Sequence, residues 1–303
     1  AFTAYLPQSK VNEPVDALPI IHKTLDTSRY YRLSVNGCYL SVDETGLTLS
    51  DDAEGTSTIF YYDENLSLLS YRNSRYIEDE GFTVAGNLPV MSLFEIAASG
   101  VDKYNLCVDG KYLGVDDNAV LCSYSDVDEP VNAENVEWSV EEVECLPVSI
   151  TTVGYATIYA GVALEVPDGV TAHTVVVDGD YAILSDPLDI IPASCGVLLV
   201  AEEELDGTKV YDFIVTTTDE TVEDNALRGT LASTFVETEE GEQYYVLSNP
   251  DGVLAFYKAE LNDGKLYNNG HRAYLPHNTA HNNAPSAIKF NWSTGIDDVK
   301  DEE

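Results

Sequence analysis

Residues 31–40 of the chain read YRLSVNGCYL, residues 67–76 read SLLSYRNSRY, and residues 104–113 read YNLCVDGKYL. Each stretch has two short apolar segments separated by polar turn residues, a pattern typical of paired β-strands. The three stretches share a leucine in the first segment and a tyrosine in the second: Leu33, Leu69, Leu106, Tyr39, Tyr76 and Tyr112. Both sets recur at spacings of 36 or 37 residues, so the first half of the chain contains a threefold repeat.

Each repeat unit predicts four short strands, because further apolar segments follow each quoted stretch before the next unit begins. The fourth strand of each unit carries an aromatic residue that we expect on the core face: Phe60, Phe94 and Trp138. A single unit cannot bury its apolar face alone, whereas three units that close on one another can. This arrangement resembles a β-trefoil, which we predict for residues 25–146. The alternative is an ordinary antiparallel barrel whose units are similar by accident.

The second half has a different rhythm, with short apolar segments that recur about every 8–12 residues beyond Pro147. Turn-forming sequences such as PDG at 167–169 separate them. This pattern predicts an antiparallel β-sandwich over residues 147–292. Residues 1–24 are then an N-terminal extension or linker, and residues 293–303 are an acidic C-terminal tail. The predicted fold class is all-β, a β-trefoil followed by an antiparallel β-sandwich.

The charge of the chain restricts its partners. Asp and Glu number 53 against 15 Lys and Arg, which gives a formal net charge of −38. Such a surface repels phosphate backbones, so we predict no nucleic-acid partner, and it disfavours anionic membranes. No apolar stretch approaches the ~18 residues that a spanning helix needs, so we predict no membrane insertion. The first residues lack a signal sequence and an initiator Met, so we expect a mature form or a fragment.

The cysteines indicate neither a disulfide scaffold nor a zinc site. The chain has five of them, with no C-x-x-C spacing: Cys38, Cys107, Cys122, Cys145 and Cys195. An odd number cannot pair fully within one chain. We expect buried free thiols, and one disulfide within residues 25–146 remains an open alternative.

Several segments of the second half resemble segments of a known group of proteins. They are residues 156–159 (ATIY), 163–170 (ALEVPDGV), 191–199 (IPASCGVLL), 245–247 (YVL), 273–276 (AYLP), 284–290 (APSAIKF) and 294–299 (TGIDDV). As a set, over residues 150–300, they resemble a C-terminal module of secreted and cell-surface proteins of Bacteroidetes. The resemblance implies an exported parent protein in which this module follows a protease, glycosidase or repeat domain, and it assigns the module no catalytic residues.

Catalytic signatures are missing from the sequence, which has no G-x-S-x-G, H-E-x-x-H, Walker A or G-x-G-x-x-G motif. Cys195 is a candidate nucleophile with His173 as its base, although a structural role for Cys195 is the preferred interpretation. His271, His277 and His281 fall within eleven residues and are a candidate transition-metal set. We predict that the chain is not an enzyme.

Calcium is the metal that an acidic chain of this kind favours, since Ca²⁺ takes several oxygen ligands. Asp126, Asp128 and Glu129 form one candidate cluster, and Asp178 with Asp180 forms another. Neither has the spacing of an EF-hand loop, and close carboxylates arise by chance in so acidic a chain. A structural calcium ion therefore remains an open alternative, and no other cofactor is expected.

A glycan site is the functional interpretation that the repeat itself suggests. Each repeated tyrosine is followed within four residues by an aspartate, which gives the pairs Tyr39 with Asp43, Tyr76 with Asp79, and Tyr112 with Asp116. An exposed aromatic ring can stack on a sugar, and a carboxylate can accept hydrogen bonds from its hydroxyls. The alternative is that these tyrosines belong to the core or cap of the fold. The Gln-x-Trp motif of ricin-type lectins is missing.

The functional expectation is a non-catalytic, extracellular binding or adhesion module, secreted or displayed at the cell surface. Its candidate partners are a glycan or a host or bacterial surface protein. The alternative is an accessory or spacer region of a larger secreted hydrolase, with no ligand of its own. Fold alone does not decide between them.

Overall fold

The structure, a computed structural model, describes residues 25–43, 46–65, 67–76, 94–100, 102–108, 111–126, 130, 132–239, 241–278 and 284–291. These residues form an all-β fold, in which the only helical segments described are 3-10 turns at Thr56–Thr58, Ala133–Val136 and Pro250–Gly252. The strands of the first half are β1 Arg29–Val35, β2 Cys38–Val42, β3 Leu47–Ser50, β4 Phe60–Tyr62, β5 Leu68–Ser70, β6 Arg75–Tyr76, β7 Phe94–Gly100, β8 Lys103–Val108, β9 Lys111–Val115, β10 Leu121–Tyr124 and β11 Ser139–Glu142.

The strands of the second half are β12 Cys145–Ile150, β13 Tyr155–Ile158, β14 Ala163–Glu165, β15 Val170–His173, β16 Val175–Asp178, β17 Tyr181–Leu184, β18 Ile190–Ile191, β19 Val197–Ala201, β20 Lys209–Thr216, β21 Arg228–Thr230, β22 Thr234–Glu237, β23 Glu242–Ser248, β24 Ala255–Lys258, β25 Lys265–Asn268, β26 Arg272–Asn278 and β27 Ala287–Phe290. The structure therefore has many short strands joined by tight turns, as the turn-rich sequence predicts.

The described strands of the first half form two sheets. One has the order β3-β2-β1-β4-β5-β6, with β11 also paired to β1, and the other has the order β10-β9-β8-β7. An isolated β-bridge pairs Tyr104 of β8, in the second sheet, with Trp138, the residue directly before β11. Phe60 and Trp138 are fully buried, which confirms their predicted place on the core face. Residues 77–93 and the Phe94 side chain lie outside the described residues, and the trefoil stays a prediction.

The second half departs from the single antiparallel sandwich that the sequence suggests. One sheet has the order β12-β20-β14-β18, a second has β13-β19-β15, and a seven-stranded sheet has β16-β17-β27-β24-β23-β26-β21. A separate pair is formed by β22 and β25. The pairing of β17 with β27 is parallel, so the seven-stranded sheet is mixed.

The strand β19 explains how these sheets pack. Val197 and Leu199 belong to one buried cluster with residues of β12 and β20, whereas Leu198 belongs to another cluster with residues of the seven-stranded sheet. All three side chains are fully buried. The β13-β19-β15 sheet therefore lies between two others, so the second half has three layers rather than two.

The junction between the halves is a shared core. Tyr30, Tyr61 and Leu69 from the first half belong to the same buried cluster as Leu146 and Phe213. The predicted domain boundary at Pro147 falls inside β12, where Pro147 pairs with Asp212. Proline is tolerated there because β12 is the edge strand of its sheet.

The five cysteines all lie in the described residues, form no disulfide, and are partly exposed rather than buried as expected. Within the same described part of the chain, no helix has the length and apolar composition that crossing a bilayer requires.

Candidate functional site

The junction between the halves carries two adjoining pockets, which together we call the junction cleft. The Tyr71 pocket has a volume of about 440 Å³ and the Tyr155 pocket about 450 Å³. Four residues line both pockets: Ser149, Thr157, Asn269 and Arg272. Each volume lies in the range of small-molecule sites. The shared residues make the cleft one elongated concave surface with Arg272 near its middle.

Two turns with unusual backbone geometry form one wall of the cleft. Ser74, in the turn from β5 to β6, has φ 52°, and His271, just before β26, has φ 55°. These two residues are hydrogen-bonded to each other, with Ser74 Oγ 2.9 Å from His271 Nδ1. Such φ values are costly for side-chain-bearing residues and persist only where surrounding contacts impose them. The cleft wall is therefore held in place by tertiary contacts.

The contacts that impose this geometry surround Gly270. Its amide donates to Ser233 Oγ at 3.0 Å, and the Ser233 amide donates to the Ser74 carbonyl at 2.6 Å. A Cβ atom at Gly270 would collide with the Leu231 carbonyl oxygen and with Ser74 Cβ. The turn between β25 and β26 therefore fits against the first half only because residue 270 has no side chain.

His271 is buried and engaged at both ring nitrogens. Its Nε2 lies 3.0 Å from Tyr30 Oη, opposite the contact of Nδ1 with Ser74. The Gly161 amide donates to Tyr30 Oη at 3.5 Å. A neutral imidazole has one N–H, so one of the two ring nitrogens donates its hydrogen bond and the other accepts. Burial, with a smaller contribution from the charge of Arg272, lowers the pKa of His271 to about 3. The imidazole is thus held neutral.

Tyr71 joins the cleft to β12. Its hydroxyl donates to the Pro147 carbonyl at 3.0 Å, and its ring lies edge-on to the His271 ring with a centroid distance of 4.7 Å. Burial raises the pKa of Tyr71, and the positive charge of Arg272 opposes that rise. Tyr71 therefore remains a neutral phenol.

Arg272 is exposed, but its orientation is fixed. Its Nη1 donates to the Thr157 carbonyl at 2.9 Å. Within the described residues, Arg272 and Arg72 form no ion pair, whereas Arg29, Arg228 and Lys265 each pair with a glutamate. An arginine has five N–H donors, so most of those of Arg272 are left for a ligand or for water.

The composition of the cleft differs from that of the chain. Asp and Glu make up 53 of 303 residues, yet none of the 15 described residues that line the Tyr71 pocket is acidic. Glu260 is the one acidic residue lining the Tyr155 pocket. The rest of the lining consists largely of hydroxyl, amide, aromatic and small side chains. The cleft is therefore a neutral-to-cationic surface on a strongly anionic protein.

Two of the tyrosine–aspartate pairs predicted from the repeat, Tyr39 with Asp43 and Tyr112 with Asp116, do not line the junction cleft. Asp43 Oδ1 accepts from the Gly46 amide at 3.1 Å, and Asp116 Oδ1 accepts from the Val120 amide at 2.9 Å. These carboxylates close their own turns. Tyr39 and Tyr112 are partly exposed on paired strands. The Tyr76 side chain and Asp79 lie outside the described residues.

The predicted calcium ligands are only partly described. Asp126 is exposed, and Asp128 and Glu129 lie outside the described residues. Asp178 and Asp180 are both exposed around the turn from β16 to β17. Across the described ranges, no three His, Cys, Asp or Glu side chains are grouped so that they could hold a metal ion.

The candidate nucleophile pair has other contacts. His173 Nδ1 donates to the Ser185 carbonyl at 2.8 Å, and its Nε2 accepts from Thr171 Oγ1 at 2.9 Å. Cys195 Sγ accepts from Asn225 Nδ2 at 3.5 Å. Burial raises the pKa of the Cys195 thiol, which disfavours the thiolate. The structural interpretation of Cys195 agrees with these contacts.

The candidate histidine metal set is not supported by the residues described. Both ring nitrogens of His271 are occupied by Tyr30 and Ser74. His277 lies edge-on to the Tyr245 ring, with the ring centroids 6.5 Å apart. His281 lies outside the described residues.

Sequence reasoning missed the junction cleft, although one signal for it exists. The first and third quoted stretches turn through Asn36-Gly37 and Asp109-Gly110, but the second turns through YRNS at residues 71–74. A tight-turn sequence replaced by large polar residues in one unit of a repeat marks that unit as different. All four of those residues line the cleft, and Tyr71 and Ser74 also form hydrogen bonds with the second half.

Compared with known proteins, the chain matches no protein-family model and no curated protein. Among solved structures, it is similar to one described as a mosquitocidal holotoxin, with 10% sequence identity and a TM-score of 0.32. That match covers 87% of this chain and 34% of the holotoxin chain. The chain thus spans about a third of the length of the solved protein it matches.

Proposed function

We propose that the chain is a non-catalytic binding module of an exported protein, and that its junction cleft binds a glycan. The observation that carries the proposal is the elongated cleft around Arg272, in which hydroxyl and amide side chains lie among apolar ones and no described acidic residue lines the Tyr71 pocket. Ligand sites commonly occur at junctions between structural units.

The lining chemistry supports a hydroxyl-rich ligand. Ser149, Thr157 and Asn269 lie where the two pockets meet, and these groups can donate and accept hydrogen bonds. Tyr155 and Tyr267 line the second pocket and are partly exposed, so their rings offer apolar faces beside the polar groups. Sugars present both hydroxyls and apolar ring faces, which this mixture of side chains suits.

The absence of turnover is part of the proposal. His271, the titratable residue at the centre of the cleft wall, is neutral and hydrogen-bonded at both nitrogens, so it has no free position for a proton from a ligand. Tyr71 is held as a phenol by burial. Export, secreted or at the cell surface, rests on the resemblance of residues 150–300 to Bacteroidetes surface modules.

A glycan-array screen of the purified chain tests the proposal, with Asn269→Ala as the cleft variant. Asn269 is exposed, so this change removes a polar group with little structural cost. Asn262→Ala, also exposed but outside the cleft, is the matched control. We expect a bound glycan whose signal falls with the first change and not with the second.

Tyr39→Ala and Tyr112→Ala distinguish the cleft from the tyrosine–aspartate sites predicted from the repeat. Loss of glycan signal in those variants, with Asn269→Ala unaffected, would move the binding site to the repeat. No binding by the folded chain to any array member would reject the glycan proposal altogether.

The second candidate function is an accessory or spacer region of a larger secreted hydrolase. The observation that favours it is the core shared by Tyr30, Tyr61 and Leu69 with Leu146 and Phe213, because a continuous core fixes the two halves relative to each other. A rigid unit of this kind would hold a neighbouring domain at a set distance. Silence on the array would favour this function.

A further inference from the structure

We infer that the ligand of the junction cleft is an acidic saccharide, and that Arg272 binds its carboxylate. This inference rests on the proposed glycan function and adds the charge of the ligand and the residue that recognises it. Nothing in the interpretation of the sequence assigns a role to Arg272.

The first step is the preorganisation of the guanidinium. Nη1 donates to the Thr157 carbonyl at 2.9 Å, which orients the planar group while leaving its other N–H donors available. A guanidinium held in this way can make two parallel hydrogen bonds to a carboxylate, and less side-chain freedom is lost when the ligand binds.

The second step is the lack of a competing carboxylate. Arg29, Arg228 and Lys265 are paired with glutamates, whereas Arg272 has no acidic partner among the described residues. Arg272 and Arg72 line the Tyr71 pocket, and none of the described residues that line it is acidic. Two arginines that line this pocket and form no ion pair with any described residue favour an anionic group from outside the protein.

The third step concerns the net charge of −38, which opposes any anion at long range. At physiological ionic strength charges are screened over about 8 Å, so the immediate lining of the pocket dominates the interaction. Each additional negative charge on the ligand adds to the remaining repulsion. A singly charged carboxylate therefore suits the site better than a dianionic phosphate ester.

The test is isothermal titration of the folded chain with short oligosaccharides that contain galacturonate, glucuronate or sialic acid. Each is paired with its carboxyl-reduced form, in which the same sugar has a neutral hydroxymethyl group, and a sulfated oligosaccharide is the competing anion. The variants are Arg272→Gln and Arg272→Lys, and Lys111→Gln removes one exposed cation away from the cleft as the control. Urea unfolding of each variant verifies that it is folded.

We expect at least one carboxylate sugar to bind about tenfold or more tighter than its reduced form, because a hydrogen bond to a charged group is lost on reduction. Arg272→Gln should abolish that preference, Arg272→Lys should restore it in part, and Lys111→Gln should leave it unchanged. Added salt should weaken the preference.

Three other outcomes overturn the inference, and they separate it from the proposed function. If acidic and reduced sugars bind equally, and binding depends on Asn269 but not on Arg272, the cleft is a glycan site that does not distinguish charged from neutral sugars. Tighter binding of the sulfated sugar than of every carboxylate sugar shows that a carboxylate is not the preferred anionic group. No saccharide bound by the folded chain rejects the proposed function and this inference together.

Discussion

Tyr30 and His271 are 241 residues apart in the chain, yet Tyr30 Oη lies 3.0 Å from His271 Nε2 in the buried junction between the two halves. The contact joins β1 of the first half to the turn before β26 of the second. Tyr71 packs edge-on against both rings, at centroid distances of 5.8 Å from Tyr30 and 4.7 Å from His271. These three side chains link the floor of the junction cleft to the shared core.

His271→Asn should lower the free energy of unfolding by about 2–4 kcal/mol. The change leaves the Tyr30 hydroxyl and the Ser74 hydroxyl without their buried partner, and an unsatisfied buried polar group costs about 1–3 kcal/mol. Asparagine tolerates positive φ, so the backbone at residue 271 is not the cause of the loss. Urea unfolding measures the effect. His277→Asn, at a partly buried site with looser contacts, is the control, and an equal loss in both variants would contradict the assigned role.

The same residue predicts how stability depends on pH. The folded-state pKa of His271 is lowered from 6.5 to about 3, so the unfolded state binds a proton in this range and the folded state does not. The stabilisation is fully present above about pH 6.5 and is lost as the pH falls from 6.5 toward 3. The free-energy difference between the wild type and His271→Asn should therefore shrink by up to about 1.4 kcal/mol per pH unit in that window.

Taking the difference between the two proteins is necessary because acid also neutralises the carboxylates. Protonation reduces the net charge of −38 and thereby relieves self-repulsion, which acts in the opposite direction on absolute stability. Those carboxylates are the same in both proteins, so their effect cancels. A difference that stays constant from pH 7 to pH 4 would show that His271 titrates normally in the folded state.

Sequence periodicity predicted the strands well because short, alternating apolar segments with clear turn residues have one local solution. Phe60 and Trp138 face the core as expected. The sequence periodicity did not predict which distant strands pair with one another. The parallel contact of β17 with β27 joins residues more than a hundred positions apart, and no local signal encodes it.

The sequence contains a signal for the third layer of the second half, which the prediction of a two-layer sandwich did not use. Residues 197–200 read VLLV, a continuous apolar run rather than an alternating one. Such runs are typical of strands buried on both faces, which is how β19 is found. A two-layer sandwich requires alternation in every strand, so this one segment already indicated a third layer.

The cleft could not be derived from motifs because its residues come from separate parts of the chain. Thr157 and Arg272, 115 residues apart, meet within the second half, and Tyr71 joins them through the packing of the two halves. Asp43 and Asp116 each stand at a turn, where a carboxylate can close the turn by accepting a backbone amide. The hydrogen bond of Asp116 to the Val120 amide assigns that residue to its turn.

Gly161→Ala should destabilise the protein by about 1–3 kcal/mol, as overpacking in a core does. A Cβ atom there would lie 2.6 Å from the Tyr61 ring, which is buried and packs on Tyr30 at a centroid distance of 4.8 Å. Gly207→Ala is the matched control, because a Cβ at Gly207 would meet no atom within 4 Å. Thermal and urea unfolding should shift for the first variant only, and no shift in either would mean that the junction accommodates the extra methyl group.

Phe213→Ala, a change in the second half, should destabilise the first half as well. Phe213 is fully buried in the cluster that contains Tyr30 and Leu69, and deletion of such a side chain costs about 3–5 kcal/mol. Trp138 is buried in the first half, where its Nε1 donates to the Leu113 carbonyl at 2.8 Å, so its fluorescence reports on that half.

The measurement uses a Trp292→Phe background, which leaves Trp138 as the one tryptophan, since the chain has two. We expect the unfolding midpoint of Trp138 fluorescence to shift together with that of far-ultraviolet circular dichroism. Leu106→Ala, within the cluster of Trp138 itself, defines the shift that a change in the first-half core produces. If Phe213→Ala moves the circular dichroism transition while the Trp138 transition stays at its wild-type midpoint, the halves unfold independently and the shared core does not couple them.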